Sequence, residues 1–402
     1  FTTSNNPDNG VRFIDVNGDG LVDILEDFAN GSTTNRGAWI NTGNGWANSS
    51  SWISPEPFTK SGKNIGRRIA DVNGDGFGDI VIGTVDPVPL NKVVARNLTI
   101  PYLLKNITTE FGGVTYLSYD KSTSFNNTGD DGLSDIGFNI WVVNQVLNNN
   151  SLYNEFNILS NTSYNYFGGI YNYTDAEFRG FANVNETLSD KSVVSHYFHQ
   201  NKNLKGKEFK TETYDSSGKI FTRTKNNFNI TLSNYSYFVV NLLNSLSYTF
   251  DGNSTNPKII NVSFKYDNYS NILNKIQYGD INVSGDEKYE NYTYVYNQSS
   301  WIVDKLSWYL LFDSSLNKIR ETKYSYDSHE YGSTPSKGDL TKQEQWLDTG
   351  GGNPTIRYRY DDYGNLIEQL DPLGRATKYE YGLTDITNTY PERITNALGH
   401  SA

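Results

Sequence analysis

The chain has 402 residues and a mass of 45.4 kDa, with 36% hydrophobic and 20% charged residues and a mean hydropathy of −0.60, enough for two or three domains with a sizeable core. No run of about 18 to 20 apolar residues occurs, which excludes a helical membrane span, and 34 Lys and Arg against 45 Asp and Glu give a net charge of −11 without a basic patch, which argues against nucleic acid as a partner. The absence of cysteine excludes disulfides, thiolate catalysis and zinc knuckles, and the absence of methionine marks the sequence as a processed product or an excerpt of a longer chain.

The aromatic content sets the fold class. Thirty tyrosines and twenty phenylalanines lie among abundant Asn, Ser, Thr and Gly, a composition of β-strands separated by turn residues. The expected fold is all-β in three zones. Residues 1–91 are rich in Gly, Asp and Trp and carry one phrase twice, 56 residues apart: Asp15-Val-Asn-Gly-Asp-Gly-Leu-Val-Asp23 and Asp71-Val-Asn-Gly-Asp-Gly-Phe-Gly-Asp79. Apolar residues flank each copy, Val11, Phe13 and Ile14 before the first and Ile80, Val81 and Ile82 after the second, which predicts strand, tight loop, strand.

Each phrase presents carboxylates and an amide oxygen at positions 1, 3, 5 and 9 and a backbone carbonyl at position 7. Such a set suits calcium, a hard cation that takes several oxygens at about 2.3–2.6 Å. The candidate ligands are Asp15, Asn17, Asp19, the Leu21 carbonyl and Asp23 in the first loop. In the second they are Asp71, Asn73, Asp75, the Phe77 carbonyl and Asp79. The role expected of Ca2+ is structural, a staple across a β-turn. A degenerate third copy, Asn127 to Asp135, has Gly129 at position 3 and reads as a surface turn.

The connector Asp86-Pro-Val-Pro-Leu90 leads into residues 92–205, read as a middle β domain in which apolar runs such as Ile140-Trp-Val-Val143 are separated by Asn-rich stretches. In this zone Arg179, between Phe178 and Phe181, reads as a cation–π brace. His196 and His199, three apart on a strand, point to opposite faces and read as strand residues, not as a shared metal site.

Residues 206–402 repeat a strand ending. Ile260, Val262, Phe264 and Tyr266 alternate with Asn261, Ser263, Lys265 and Asp267, and the pattern returns at Thr322-Tyr324-Tyr326-Asp327 and Ile356-Tyr358-Tyr360-Asp361. Weaker copies end at Tyr214-Asp215, Phe250-Asp251, Tyr296-Asn297 and Tyr381-Gly382. A Tyr-Asp ending, a Gly or Asn turn, a second strand and then Asp371-Pro-Leu-Gly374 describe a hairpin unit written repeatedly, stacked so that each aromatic face is buried against its neighbours. The alternation with Lys, Arg, Glu and Ser favours core over a sugar-stacking row.

Asn-x-Ser/Thr acceptors recur about seventeen times up to Asn297, among them Asn97, Asn106, Asn172, Asn185, Asn261 and Asn291, and point to a secreted or cell-surface chain with N-linked glycans. No Gly-x-Ser-x-Gly, His-Glu-x-x-His or phosphate loop is present, and the adjacent acids Asp361 and Asp362 define no catalytic geometry, so no enzymatic activity is expected.

The two nine-residue phrases resemble the calcium loops of FG-GAP (integrin-type) propeller repeats, and the Tyr-Asp hairpins resemble the tyrosine-aspartate (YD) repeats of rearrangement-hotspot (Rhs) and teneurin proteins. Between them, Leu103-Leu-Lys-Asn-Ile107, Gly112-Gly113, Tyr119-Asp-Lys-Ser122, Ile140-Trp-Val-Val143 and Glu177-Phe-Arg-Gly-Phe-Ala-Asn-Val184 resemble the B subunit of insecticidal toxin complexes and its virulence-plasmid relatives. The resemblance implies part of an FG-GAP propeller, a middle β domain and a hairpin spiral forming the wall of a hollow shell. It further implies enclosure of a C-terminal polypeptide cargo and docking of a delivery protein. Only two full FG-GAP phrases are present, and the C-terminal Rhs core is absent. The alternative from another class is a glycosylated adhesion or recognition module that encloses nothing.

Overall fold

The structure is a computed structural model that describes residues 8–84, 90–95, 103–150, 159–232, 237–250, 255–384 and 387–402. Most of the connector at Asp86–Leu90, the acceptor Asn97 and the Asp251 of one Tyr-Asp-like ending lie outside the described residues. The chain is all-β, with one 3₁₀ turn at Ser122–Ser124 among the described residues. It divides into two compact units, Phe1–Lys207 with Asp215–Gly218, and Glu208–Tyr214 with Lys219–Ala402.

In the first unit, Val11–Ile14, Asp23–Asn30, Thr33–Asn41 and Trp46–Asn48 pair successively as an antiparallel meander. The short strand Thr59–Lys60 adds parallel to Asp23–Asn30 and pairs with Lys63–Asn64. A second meander joins Arg67–Ala70, Asp79–Thr84 and Leu90–Val94. In both, the nine-residue phrase links the first strand to the second, as its apolar flanks predict. Val16, Leu25, Ala38, Phe58, Ile80 and Ile82 form one core that draws on both meanders, with Ile14, Ile40, Trp52 and Ile69 packed against it. A third run in the same unit, Asn106–Thr108, Val114–Lys121, Trp141–Asn149, Leu159–Asn172, Glu177–Thr187 and Val193–Phe198, is antiparallel with sequential neighbours.

The second unit is a meander of long strands: Glu208–Tyr214, Ile220–Leu232, Phe238–Thr249, Lys258–Tyr266, Ile272–Asp280, Lys288–Asn297, Ile302–Phe312, Lys318–Tyr326, Leu340–Gln345, Thr355–Tyr360, Leu366–Leu370, Ala376–Glu380 and Arg393–Thr395. Each pairs antiparallel with the next. Phe250 and Leu310 are buried, while most strand aromatics are half-buried. The aromatic face is therefore shielded more by neighbouring rings and aliphatic stems than by a closed core. Burial pushes the Tyr326 hydroxyl up to about 12, and Tyr292 pairs with Tyr309 at 5.3 Å.

Alternation along Asp23–Asn30 turns Asp23, Leu25 and Asp27 toward the core. Asp27 is fully buried, with Arg36 3.2 Å away across the ladder. Burial pushes its carboxyl up to about 6; Arg36 and Ser54 pull it down only in part, and Glu56 adds to the rise. A folded-state value above the ordinary 3.8 means that folding favours the protonated form. Its contribution is therefore best below about pH 4 and is lost as the pH rises through 6. Asp27→Asn is expected to flatten that part of the Tm-against-pH curve between pH 4 and 7, measured against the parent chain. Phe58 has no exposed surface, and Phe58→Ala is expected to destabilise the first unit by about 3–5 kcal/mol in denaturant titrations.

Candidate metal loops and carboxylate turns

The two nine-residue loops fold alike because short acidic side chains bond back to their own backbone. Asp15 takes the N–H groups of Gly18 (2.7 Å), Asp19 (3.2 Å) and Gly20 (2.8 Å). The Asn17 Oδ1 takes the Asp19 N–H, and Asp19 takes that of Leu21. In the second loop Asp71 takes the N–H groups of Asp75 (3.0 Å) and Gly76 (2.8 Å), Asn73 takes that of Asp75, and Asp75 that of Phe77. Gly18 and Gly74, at φ +77° and +68°, supply the left-handed backbone at the fourth position of each phrase. Gly18 also lies so close to the Phe77 ring that a Cβ there would clash, so the two loops touch.

The last aspartate of each phrase begins the following strand and is fully buried. Asp23 accepts from the N–H of Val16 (2.9 Å) and of Asn41 (2.7 Å), tying loop, strand and neighbouring strand together. Asp79 accepts from the Val72 N–H (3.1 Å). Burial raises the Asp23 pKa; the two N–H bonds oppose the rise, and the nearby Asp19 and Asp15 charges add to it. The donor chemistry, oxygen only and with mutually repelling carboxylates, fits a hard cation. Among the described residues, however, no group of three or more His, Cys, Asp or Glu side chains is gathered as a metal-binding set. The second loop is gripped from outside: Lys121 donates to the Asn73 carbonyl (3.0 Å) and Thr123 to that of Gly74 (2.5 Å).

The third phrase is a turn, as its sequence predicts, but its first residue is no surface residue. Asn127 is buried, accepts from the Gly169 N–H (2.9 Å) and donates to the Ser122 carbonyl (2.7 Å). Arg179 departs from expectation: its partners are the carboxylates of Asp175 and, at 4.0 Å, Glu177. The alternating strand Glu177–Thr187 leaves the guanidinium near acids at the strand start. His196 lies on the strand Val193–Phe198, with Glu186 3.6 Å from its Nε2.

The same carboxylate chemistry closes the hairpins of the second unit. Asp267 accepts the N–H groups of Tyr269 and Asn271 and the Asn271 amide, each at 2.8 Å. Asp313 does so with Ser315 and Asn317, Asp361 with Tyr363 and Asn365, and Asp371 with Leu373 and Arg375. Asn396 makes the matching backbone bonds to Leu398 and His400. In every one of these turns the fourth residue is left-handed: Ser270, Leu316, Gly364, Gly374 and Gly399. The Tyr-Asp pair alone does not find Asp313, which follows Phe312; the spacing Asp-x-x-x-Asn finds it. Asp327 follows a tyrosine yet does something else, accepting N–H bonds from Ser336, Lys337, Gly338 and Asp339 across a longer loop.

The tyrosines before these turns tie hairpin to hairpin. Tyr266 donates to the Leu242 carbonyl (3.0 Å), Tyr326 to that of Leu306 (2.8 Å) and Tyr381 to that of Leu366 (3.1 Å). Each acceptor lies where the preceding hairpin ladder slips by one residue. Tyr296 instead donates to Asp267 itself (2.7 Å). Beneath the rings, buried glutamates gather donors: Glu290 accepts from Lys275, Gln277 and Tyr292, and Glu212 from Lys210, Arg223 and Tyr214. Burial alone would raise both carboxyls; these donors hold them below the usual range.

Compared with known proteins, residues 41–211 match the model of the insecticide toxin TcdB middle/N-terminal region. The fold matches the crystal structure of TcdB2-TccC3 without its hypervariable C-terminal region, with a TM-score of 0.65 at 14% identity over 98% of this chain and 27% of that one. It also matches TcdB2-TccC3 itself, with a TM-score of 0.64 at 14% identity over 98% and 28%. A third match is the Photorhabdus luminescens Tc holotoxin pore, with a TM-score of 0.64 at 13% identity over 98% and 28%. No curated protein sequence matches the chain. The chain thus shares the all-β fold of the TcdB2-TccC3 structures, and its residues 41–211 are similar in sequence to the TcdB middle/N-terminal region. It spans a little over a quarter of the length of those solved chains.

Removing the Asp267 carboxylate takes an acceptor from two N–H groups, an amide and the Tyr296 hydroxyl. Asp267→Ala is expected to cost the second unit about 1–3 kcal/mol, and Tyr296→Phe about 1 kcal/mol or less, measured by denaturant unfolding.

Proposed function

We propose that the chain is a structural segment of a TcdB-type toxin-complex component, in which stacked hairpins form part of a shell wall enclosing a polypeptide cargo, with no catalytic role. The observation that carries this reading is the agreement of two likenesses: the family match over residues 41–211 and the fold match over nearly the whole chain to TcdB2-TccC3 structures. The Asp-x-x-x-Asn turns supply the regular returns that such a wall needs, which supports reading them as YD-type repeats. No helix among the described residues is long and apolar enough to cross a membrane; secretion and delivery through a docking partner belong to this proposal.

Within it, the two meanders at the N-terminal end are FG-GAP-type blades of a propeller, and calcium belongs in their loops. Asp15, Asn17, Asp19, Leu21 O and Asp23 would hold one ion, and Asp71, Asn73, Asp75, Phe77 O and Asp79 the other. The support is the oxygen-only donor set, repeated in both loops, with a fully buried aspartate closing each. Calorimetry on the 402-residue chain is expected to show calcium uptake, lost when Asp15→Ala and Asp71→Ala are combined. Saturating calcium is expected to raise the Tm, each site adding about 2.7 kcal/mol of stability at a hundred times its Kd. No uptake and an unmoved Tm would remove calcium from the account. The enclosure itself is tested by limited proteolysis of the parent protein made with its C-terminal region: that region is expected to resist cleavage until the shell is unfolded, and ready cleavage in the native particle would contradict enclosure.

A further inference from the structure

The hairpin of Ile220–Leu232 and Phe238–Thr249 outruns its neighbour. Its internal ladder extends to the pair Leu232 and Phe238, whereas the ladder from Phe238–Thr249 to Lys258–Tyr266 stops at Asn244 and Ser263. Among the described residues, 238–243 are therefore paired on one side only. The direction of their free groups follows from one bond. Tyr266 donates to the Leu242 carbonyl, so that carbonyl points to the bare side. In an antiparallel ladder the N–H and C=O of one residue point the same way and alternate residues share a side. Val240 and Phe238 thus present both groups outward, with no strand among the described residues to receive them.

Beside this edge lies a cleft of about 700 Å³, with Leu232, Tyr237, Val239, Leu243, Phe264 and Tyr266 among its lining residues. Phe238 is 55% exposed and Leu232 60%. Sheet proteins blunt free edges with lysine, proline or inward charge. Here the edge reads Phe238-Val-Val-Asn-Leu-Leu243, with neither charge nor proline.

We propose that this edge captures an extended polypeptide segment by strand addition. The class of partner follows from the edge itself: outward N–H and C=O groups repeating every second residue are met by another peptide backbone, and the flanking apolar side chains select alternate uncharged residues on it. The proposal is independent of the shell reading, since it requires only the overhanging hairpin.

The test is fluorescence anisotropy of the 402-residue chain with a fluorescein-labelled nine-residue peptide of alternating valine and threonine, with a lysine at each end. The comparison peptide is the same sequence N-methylated at every valine and threonine, which keeps the side chains and removes the N–H groups of both strand edges. Saturable binding is expected, weakened at least tenfold by N-methylation and at least tenfold by Val240→Pro. That substitution removes an N–H which the hairpin ladder does not use, so the thermal melt should match the parent chain. Absence of saturable binding, equal binding of both peptides, or undiminished binding by a folded Val240→Pro chain would each overturn the proposal. The peptide comparison decides the matter by itself if the variant does not fold.

Discussion

The second unit depends on one repeated interaction: a carboxylate at the end of a strand that accepts the N–H groups two and four residues ahead. A long antiparallel meander must reverse direction at every strand, and each reversal strands backbone donors that water or a side chain must satisfy. At Asp267, Asp313, Asp361 and Asp371 the side chain satisfies them locally and obliges the fourth residue to adopt positive φ. The turn then sets register, and register sends the alternating aromatics to one face. The tyrosine hydroxyls at 266, 326 and 381 bond to carbonyls where the preceding hairpin ladder slips by one residue.

The N-terminal loops apply the same chemistry to another end. Asp15 and Asp71 cage their own loop N–H groups, while Asp23 and Asp79 anchor the next strand from a fully buried position. The loop shape thus rests on backbone bonds to aspartate, and a cation would act on the repulsion that remains among the carboxylates. That separates what the loops do for folding from what the proposed calcium adds.

Much of this was legible in the sequence. Period-two alternation located the strands around Tyr266, Tyr326 and Tyr360, because one face of each carries rings and the other polar residues. The duplicated Asp phrase announced two equivalent loops. What the sequence concealed was tertiary in origin. Asp313 follows a phenylalanine, so a Tyr-Asp signature passes over it, although the i, i+4 Asp and Asn spacing was there to read. Arg179 sits in an aromatic phrase, yet its guanidinium meets Asp175 in the turn just before its strand and Glu177 two residues back on the same strand. Asn127 resembles a turn residue and proved a buried anchor because Gly169 lies opposite. The overhang of the strand Phe238–Thr249 depends on where two ladders stop, which no local pattern encodes.

The central claim is that these hairpins build an enclosing wall, and the most direct measurement is electron cryomicroscopy of the longest parent chain that can be expressed. The account predicts a closed hollow particle whose wall contains the meander of residues 208–402, with density in its interior. A solid or extended particle with no cavity would contradict it.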